Sequence, residues 1–197
     1  MKPSLPGLLL ATLMCIVSPL AQANIITYAA SLSGLNEAPP NASPGIGFAQ
    51  VIVDDLLNTM SVQVTFSGLI GTTTASHIHC CTSIPLTGVV APATTTPTFA
   101  GFPAGVTSGS YINILDMTLA SSYNPAFITA NGGTTASARA VLFNGLSNGQ
   151  AYFNLHTSQF PGGEIRGFLT QVPEPATLAL LGLGVAGLGW SRRKNAQ

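Results

Sequence analysis

Apolar and polar positions alternate along much of this chain. Val62, Val64 and Phe66 fall on one side of a two-residue period, with Ser61, Gln63 and Thr65 on the other. That is the signature of a half-buried strand. Comparable runs recur about every 10–20 residues, separated by Gly, Pro, Asn and Ser. They predict strands at residues 25–32, 47–53, 60–66, 75–79, 111–119, 138–143, 151–156 and 164–170. Asp54-Asp55-Leu56-Leu57-Asn58 reads as a turn between the second and third, and Phe160-Pro161-Gly162-Gly163 as the loop of a closing hairpin. Residues 83–108, rich in Pro, Thr and Gly, read as a long loop with a short strand near Val89. The one short helix expected lies at residues 121–129, with Pro125 suited only to its first turn. About eight strands and no long helix predict an all-β protein, an antiparallel Greek-key-like β-sandwich.

The two ends depart from this pattern. Residues 176–190 are apolar or glycine apart from Thr177. Pro173-Glu174-Pro175 precede them, and Arg192-Arg193-Lys194 follow. As a short apolar helix, 176–190 would span about 22 Å, below the roughly 20 residues of a full membrane crossing. Trp190 can extend its reach into the interface, and the basic cluster holds the end in the cytoplasm. The tail, residues 172–197, resembles the PEP-CTERM sorting signal read by exosortases. That resemblance implies transient inner-membrane insertion and cleavage near Pro173–Pro175; the alternative is a plain C-terminal anchor. At the other end Lys2 precedes an apolar run at 8–17, and Ala21 and Ala23 offer the small residues that signal peptidase inspects. Residues 1–23 therefore read as a Sec signal peptide. These ends predict an exported protein, first tethered to the inner membrane, then at the cell surface or in the extracellular matrix of a bacterium.

Setting the ends aside leaves one domain, residues 24–171, large enough for its own core. Its charge differs from the zero of the whole chain. Arg139 and Arg166 face Glu37, Asp54, Asp55, Asp116 and Glu164, a net −3. Such a surface excludes nucleic acid as a partner. Cys80 and Cys81 are adjacent, so they cannot staple distant strands. They read as an idle pair, as a vicinal disulfide, or through Cys81 as a metal ligand.

The three histidines sit in two strand motifs, Ser76-His77-Ile78-His79 and Asn154-Leu155-His156-Thr157. On a strand His77 and His79 share a face, with Cα atoms about 7 Å apart. Two such imidazoles can converge on one ion, and neutral imidazole suits copper and zinc. His156 would join from a neighbouring strand, and Cys81, if the strand persists, would be a fourth donor. The alternative is that these histidines only hydrogen-bond backbone or stack on aromatics. Glu164 and Arg166 share a strand phase: an ion pair at the sheet surface, with each other or with a neighbour, or a carboxylate orienting a ligand imidazole.

Several of these stretches occur together in a fixed order. Leu32-Ser33-Gly34-Leu35-Asn36-Glu37-Ala38-Pro39-Pro40 comes first, then Gly45-Ile46-Gly47-Phe48-Ala49. Ala75-Ser76-His77-Ile78-His79, Asn154-Leu155-His156-Thr157 and Pro161-Gly162-Gly163-Glu164-Ile165-Arg166-Gly167 follow. Across residues 25–170 they resemble a CHRD domain. The resemblance implies a β-sandwich module of extracellular proteins. The His-x-His strand also resembles the copper strand of Cu/Zn superoxide dismutases, but three histidines are too few for a two-metal site. No nucleophile elbow or phosphate loop is present. The expected function is a non-catalytic surface or matrix module binding extracellular polysaccharide or a matrix protein, processed by signal peptidase and exosortase. The alternative is a single-site copper or zinc protein, a carrier or a redox protein, using His77, His79 and His156.

Overall fold

The computed structural model describes residues 24–173. Ala21, Ala23, Glu174, Pro175, Arg192, Arg193 and the apolar run 176–190 lie outside them. No helix among the described residues is long and apolar enough to cross a membrane.

Among the described residues eight strands form one antiparallel sheet. β1 is Ile25–Ser33, β2 Ile46–Asp54, β3 Thr59–Ser67, β4 Thr73–His79 and β5 Gly109–Asp116. After two helices come β6 Tyr152–Thr157, β7 Ile165–Phe168 and β8 Thr170–Gln171. The strand order is β4-β6-β7-β1-β2-β3-β5, with β8 also on β1. The sheet curls, so that both of its arms bury side chains in one core. Tyr28, Val51, Val62 and Val64 come from one arm, and Ile78, Phe153, Leu155 and Ile165 from the other. The all-β, sandwich-like expectation is thus met by a single continuous sheet.

Local chemistry sets these elements. In β3, Met60, Val62, Val64 and Phe66 are buried, as the two-residue period requires. The β2–β3 turn closes because the Asp54 carboxylate accepts from the backbone of Leu56 and Leu57, at 3.0 and 2.9 Å. Asn58 there adopts the left-handed conformation, φ 56°, which Asn tolerates better than most residues.

Three sequence expectations need correction. Residues 138–143 are not a strand but part of helix α2, Thr135–Ser147. Thr134 and Ser137 form a reciprocal capping box at its start. Ala138, Leu142, Gly145 and Leu146 form its buried side, a three-to-four-residue spacing that runs past residues 138–143 and shows only over the longer window. No strand forms near Val89, which is exposed; the loop instead makes two isolated bridges, Pro92 with His79 at the end of β4 and Thr94 with Tyr123 in the segment that leads into the next helix. The short helix is displaced: α1 is Pro125–Ala130, because Asn124 caps it and Pro125 takes the first turn.

The vicinal cysteines are joined. Cys80–Cys81 is a disulfide seated against α2 at Gly145, where a Cβ would come within 2.3 Å of both sulfurs.

Candidate functional site

Two adjacent strands bring the three histidines together. β4 and β6 pair so that His79 faces Tyr152, His77 faces Asn154 and Ala75 faces His156. β6 in turn pairs with β7, setting Asn154 opposite Arg166 and Tyr152 opposite Phe168. One side of this three-strand patch therefore carries His77, His79, Tyr152, Asn154, His156, Arg166 and Phe168. The other side, with Ile78, Phe153, Leu155 and Ile165, is core. The loop after β4 covers the polar side, leaving His77 and His79 buried and His156 half-buried.

Each imidazole is held through the same nitrogen. His77 Nδ1 meets the Pro97 carbonyl at 3.1 Å, His79 Nδ1 the Val90 carbonyl at 2.5 Å, and His156 Nδ1 the Pro161 carbonyl at 2.9 Å. A carbonyl oxygen only accepts, so each Nδ1 carries the proton. In a neutral ring that leaves Nε2 as a bare lone pair. His77 and His156 turn these lone pairs on each other at 3.0 Å. His79 Nε2 is buried without any partner. One nitrogen from each ring lies within 4.8 Å of the others.

The electrostatics keep the rings neutral. Burial, then repulsion from His156, lowers the His77 pKa to about 4. Burial takes His79 down to about 3, against the Val90 hydrogen bond and with help from His77, His156 and Arg166. His156 is lowered too, by burial. Protons are thus poor candidates to fill the gap between the lone pairs. An ion with bonds near 2.0–2.1 Å would hold nitrogens roughly 3.3–3.6 Å apart, so modest ring movements would complete such a site.

Tyr152 stacks on His79, rings 4.6 Å apart and 8° from parallel. The Arg166 guanidinium sits 4.9 Å from the centre of the same Tyr ring. Arg166 donates to the Asn36 carbonyl and, at 3.2 Å, to that of Gly88. It also pairs with Glu37 at 3.7 Å. Burial outweighs Arg166 and pushes the Glu37 carboxyl up to about 7.

Two expected pairings do not form. Cys81 is not gathered with the histidines: β4 stops at His79, and the Cys81 sulfur is committed to Cys80. Glu164 neither pairs with Arg166 nor reaches an imidazole. It accepts from Ser43 Oγ at 2.6 Å, Ile70 N at 2.6 Å, Thr157 Oγ1 at 2.7 Å and Gly71 N at 3.0 Å. Burial alone would raise its pKa, but those four donors hold it below the ordinary value. Sequence reasoning missed Tyr152, although Tyr152, Asn154 and His156 share one strand phase. It also missed the supporting carbonyls, which no residue type announces.

Comparison with known proteins adds two matches. A family model described as CHRD domain matches residues 28–169. One described as PEP-CTERM protein-sorting motif matches residues 171–194. No curated protein and no solved structure matches.

Proposed function

We propose, from the premise that the chain belongs to the CHRD domain family, that its sheet holds one copper or zinc ion on His77, His79 and His156. The PEP-CTERM motif implies processing by an exosortase and export through the membrane to the cell surface. The ion would be carried there by the folded domain, before and after cleavage near Pro173–Pro175.

One observation carries the metal reading. Three imidazoles offer each other only acceptors, because every Nδ1–H is already spent on a backbone carbonyl. Two lone pairs at 3.0 Å and a third buried without a donor are costly unless a cation lies between them. Neutral nitrogen donors select copper or zinc over the harder calcium and magnesium. The carbonyls that fix each tautomer are the support commonly found behind metal-bound histidine.

A module for extracellular polysaccharide or a matrix protein is the second reading, and the two are compatible. Phe48, Ile112 and Ile114 on the outer side of the β2-β3-β5 arm are 47, 70 and 66% exposed, an apolar surface a partner could cover.

The test is metal analysis of the exported full chain after exposure to each ion and removal of excess. About one equivalent of copper or zinc is expected, falling below about a tenth in His77→Gln and in His156→Gln with unchanged circular dichroism. A wild-type protein that retains neither metal would end the metal reading and leave the binding module.

A further inference from the structure

We propose that the buried Arg166 forms the floor of an anion site, taking the carboxylate of a sugar acid from the cavity beside it. The inference needs no metal, and it goes beyond both readings above by naming a site and the charge of its ligand.

Charge is the first argument. Arg166 is buried, and a buried cation calls for close compensation. Its one ion partner among the described residues is Glu37, at 3.7 Å, beyond hydrogen-bond distance. The Glu37 carboxyl is pushed up to about 7, so near neutral pH about half of the molecules leave Arg166 without a counter-charge. The guanidinium also has donors to spare. The Asn36 and Gly88 carbonyls take two of its five N–H groups, through Nε and Nη1. No acceptor among the described residues hydrogen-bonds Nη2. The side-chain atoms sealed from solvent without a partner are Glu37 Oε1, His79 Nε2 and Asn154 Oδ1, so the spare guanidinium donors open onto space a ligand can enter. A carboxylate suits the planar edge of a guanidinium, which offers it two parallel hydrogen bonds.

Shape is the second argument. Arg166 pairs with Ser33 across β7 and β1. Beside that pair lies a cavity of about 420 Å³, lined by Ser31, Asn36, Leu86, Thr87, Arg166 and Phe168. Its volume falls in the range of small-molecule sites, enough for one sugar-acid unit. Ser31, Asn36 and Thr87 are exposed and bring hydroxyl and amide groups to the rim, and no carboxylate lines the cavity. The Phe168 ring, 5.8 Å from the guanidinium carbon, supplies an apolar wall for the C–H face of a sugar. Ser31 lies opposite Phe48 across β1 and β2, which sets the cavity beside the exposed apolar surface of the β2-β3-β5 arm.

The experiment is isothermal titration calorimetry on the full chain, purified in detergent, with chelator present so that no metal contributes. Galacturonate, polygalacturonate and neutral galactose are titrated in turn at pH 7 and low salt. Saturable binding of galacturonate with a Kd of about millimolar is expected, and galactose should bind at least about tenfold more weakly. Thr87→Glu places a carboxylate at the exposed rim and should weaken galacturonate at least about tenfold with unchanged circular dichroism, whereas Thr87→Gln, of similar shape without the charge, should stay within about threefold of wild type. If polygalacturonate acts at uronate concentrations about tenfold below galacturonate, the ligand is an acidic polymer; equal potency marks a small sugar acid. Galacturonate that binds no better than galactose, or that binds Thr87→Glu as well as wild type, would overturn the proposal, and neither result touches the metal reading or the apolar surface.

Discussion

Acidifying the metal-free protein from pH 7 to pH 5 will weaken its fold, and Glu37 will conceal about half of the loss. The unfolded chain carries imidazoles near the ordinary 6.5, while the folded chain holds His77 near 4 and His79 near 3. Below pH 6.5 the unfolded state therefore takes up protons that the folded state refuses. At pH 5 each ring costs about 2 kcal/mol, together about 4 kcal/mol. His156, also lowered, acts in the same direction. Glu37 acts oppositely. Its folded pKa of about 7 exceeds the ordinary 4.5, so its contribution is complete below pH 4.5 and is lost as pH rises through 7. Moving from pH 7 to 5 restores about 2 kcal/mol of it. The wild type should lose about 2 kcal/mol, and Glu37→Gln, neutral throughout, about 4 kcal/mol. Urea unfolding followed by circular dichroism, in chelator at both pH values, reads the difference. If Glu37→Gln is equally stable at pH 7 and pH 5, the imidazoles protonate freely in the fold and the argument for bare lone pairs fails.

Two further substitutions test the frame around the site. Glu164→Gln replaces a carboxylate that ties the Ser43, Ile70–Gly71 and Thr157 segments together; it should cost about 2–4 kcal/mol in urea unfolding at pH 7. Because the folded Glu164 pKa is depressed, that deficit should shrink as pH falls below 4.5, and a pH-independent deficit would count against the charge. Gly145→Ala should gain about 1 kcal/mol from helix propensity alone. Its new Cβ would nevertheless lie 2.3 Å from both sulfurs of the disulfide, so a lower thermal midpoint is expected, and a higher one would refute the close seating of α2.

Much of this architecture was legible because it is local. The alternation in residues 60–66 predicts β3, and the Asp54–Asn58 turn registers it against β2. His77 and His79 share a side for the same periodic reason. What sequence could not supply was non-local. His156 joins them only because β6 pairs with β4, a pairing between residues about 80 positions apart along the chain. The misreading of α2 has a different cause. The short apolar run Ala140-Val141-Leu142-Phe143 suits either period, and only the Thr134/Ser137 cap and the spacing of Ala138, Leu142 and Leu146 separate helix from strand. Of the pairings open to Glu164 and Arg166, the one with a neighbour forms, Arg166 with Glu37, while Glu164 takes its donors from segments distant in sequence, which no local pattern announces.

Main-chain support of the imidazoles has a consequence for how this protein can vary. Val90, Pro97 and Pro161 contribute only their carbonyl oxygens to the triad, and every amino acid has one. Substitutions at those three positions leave ring orientation intact so long as the loop path is kept. Drift among relatives there would be uninformative, and an engineer could change the side chains at the rim without touching how the histidines are aimed.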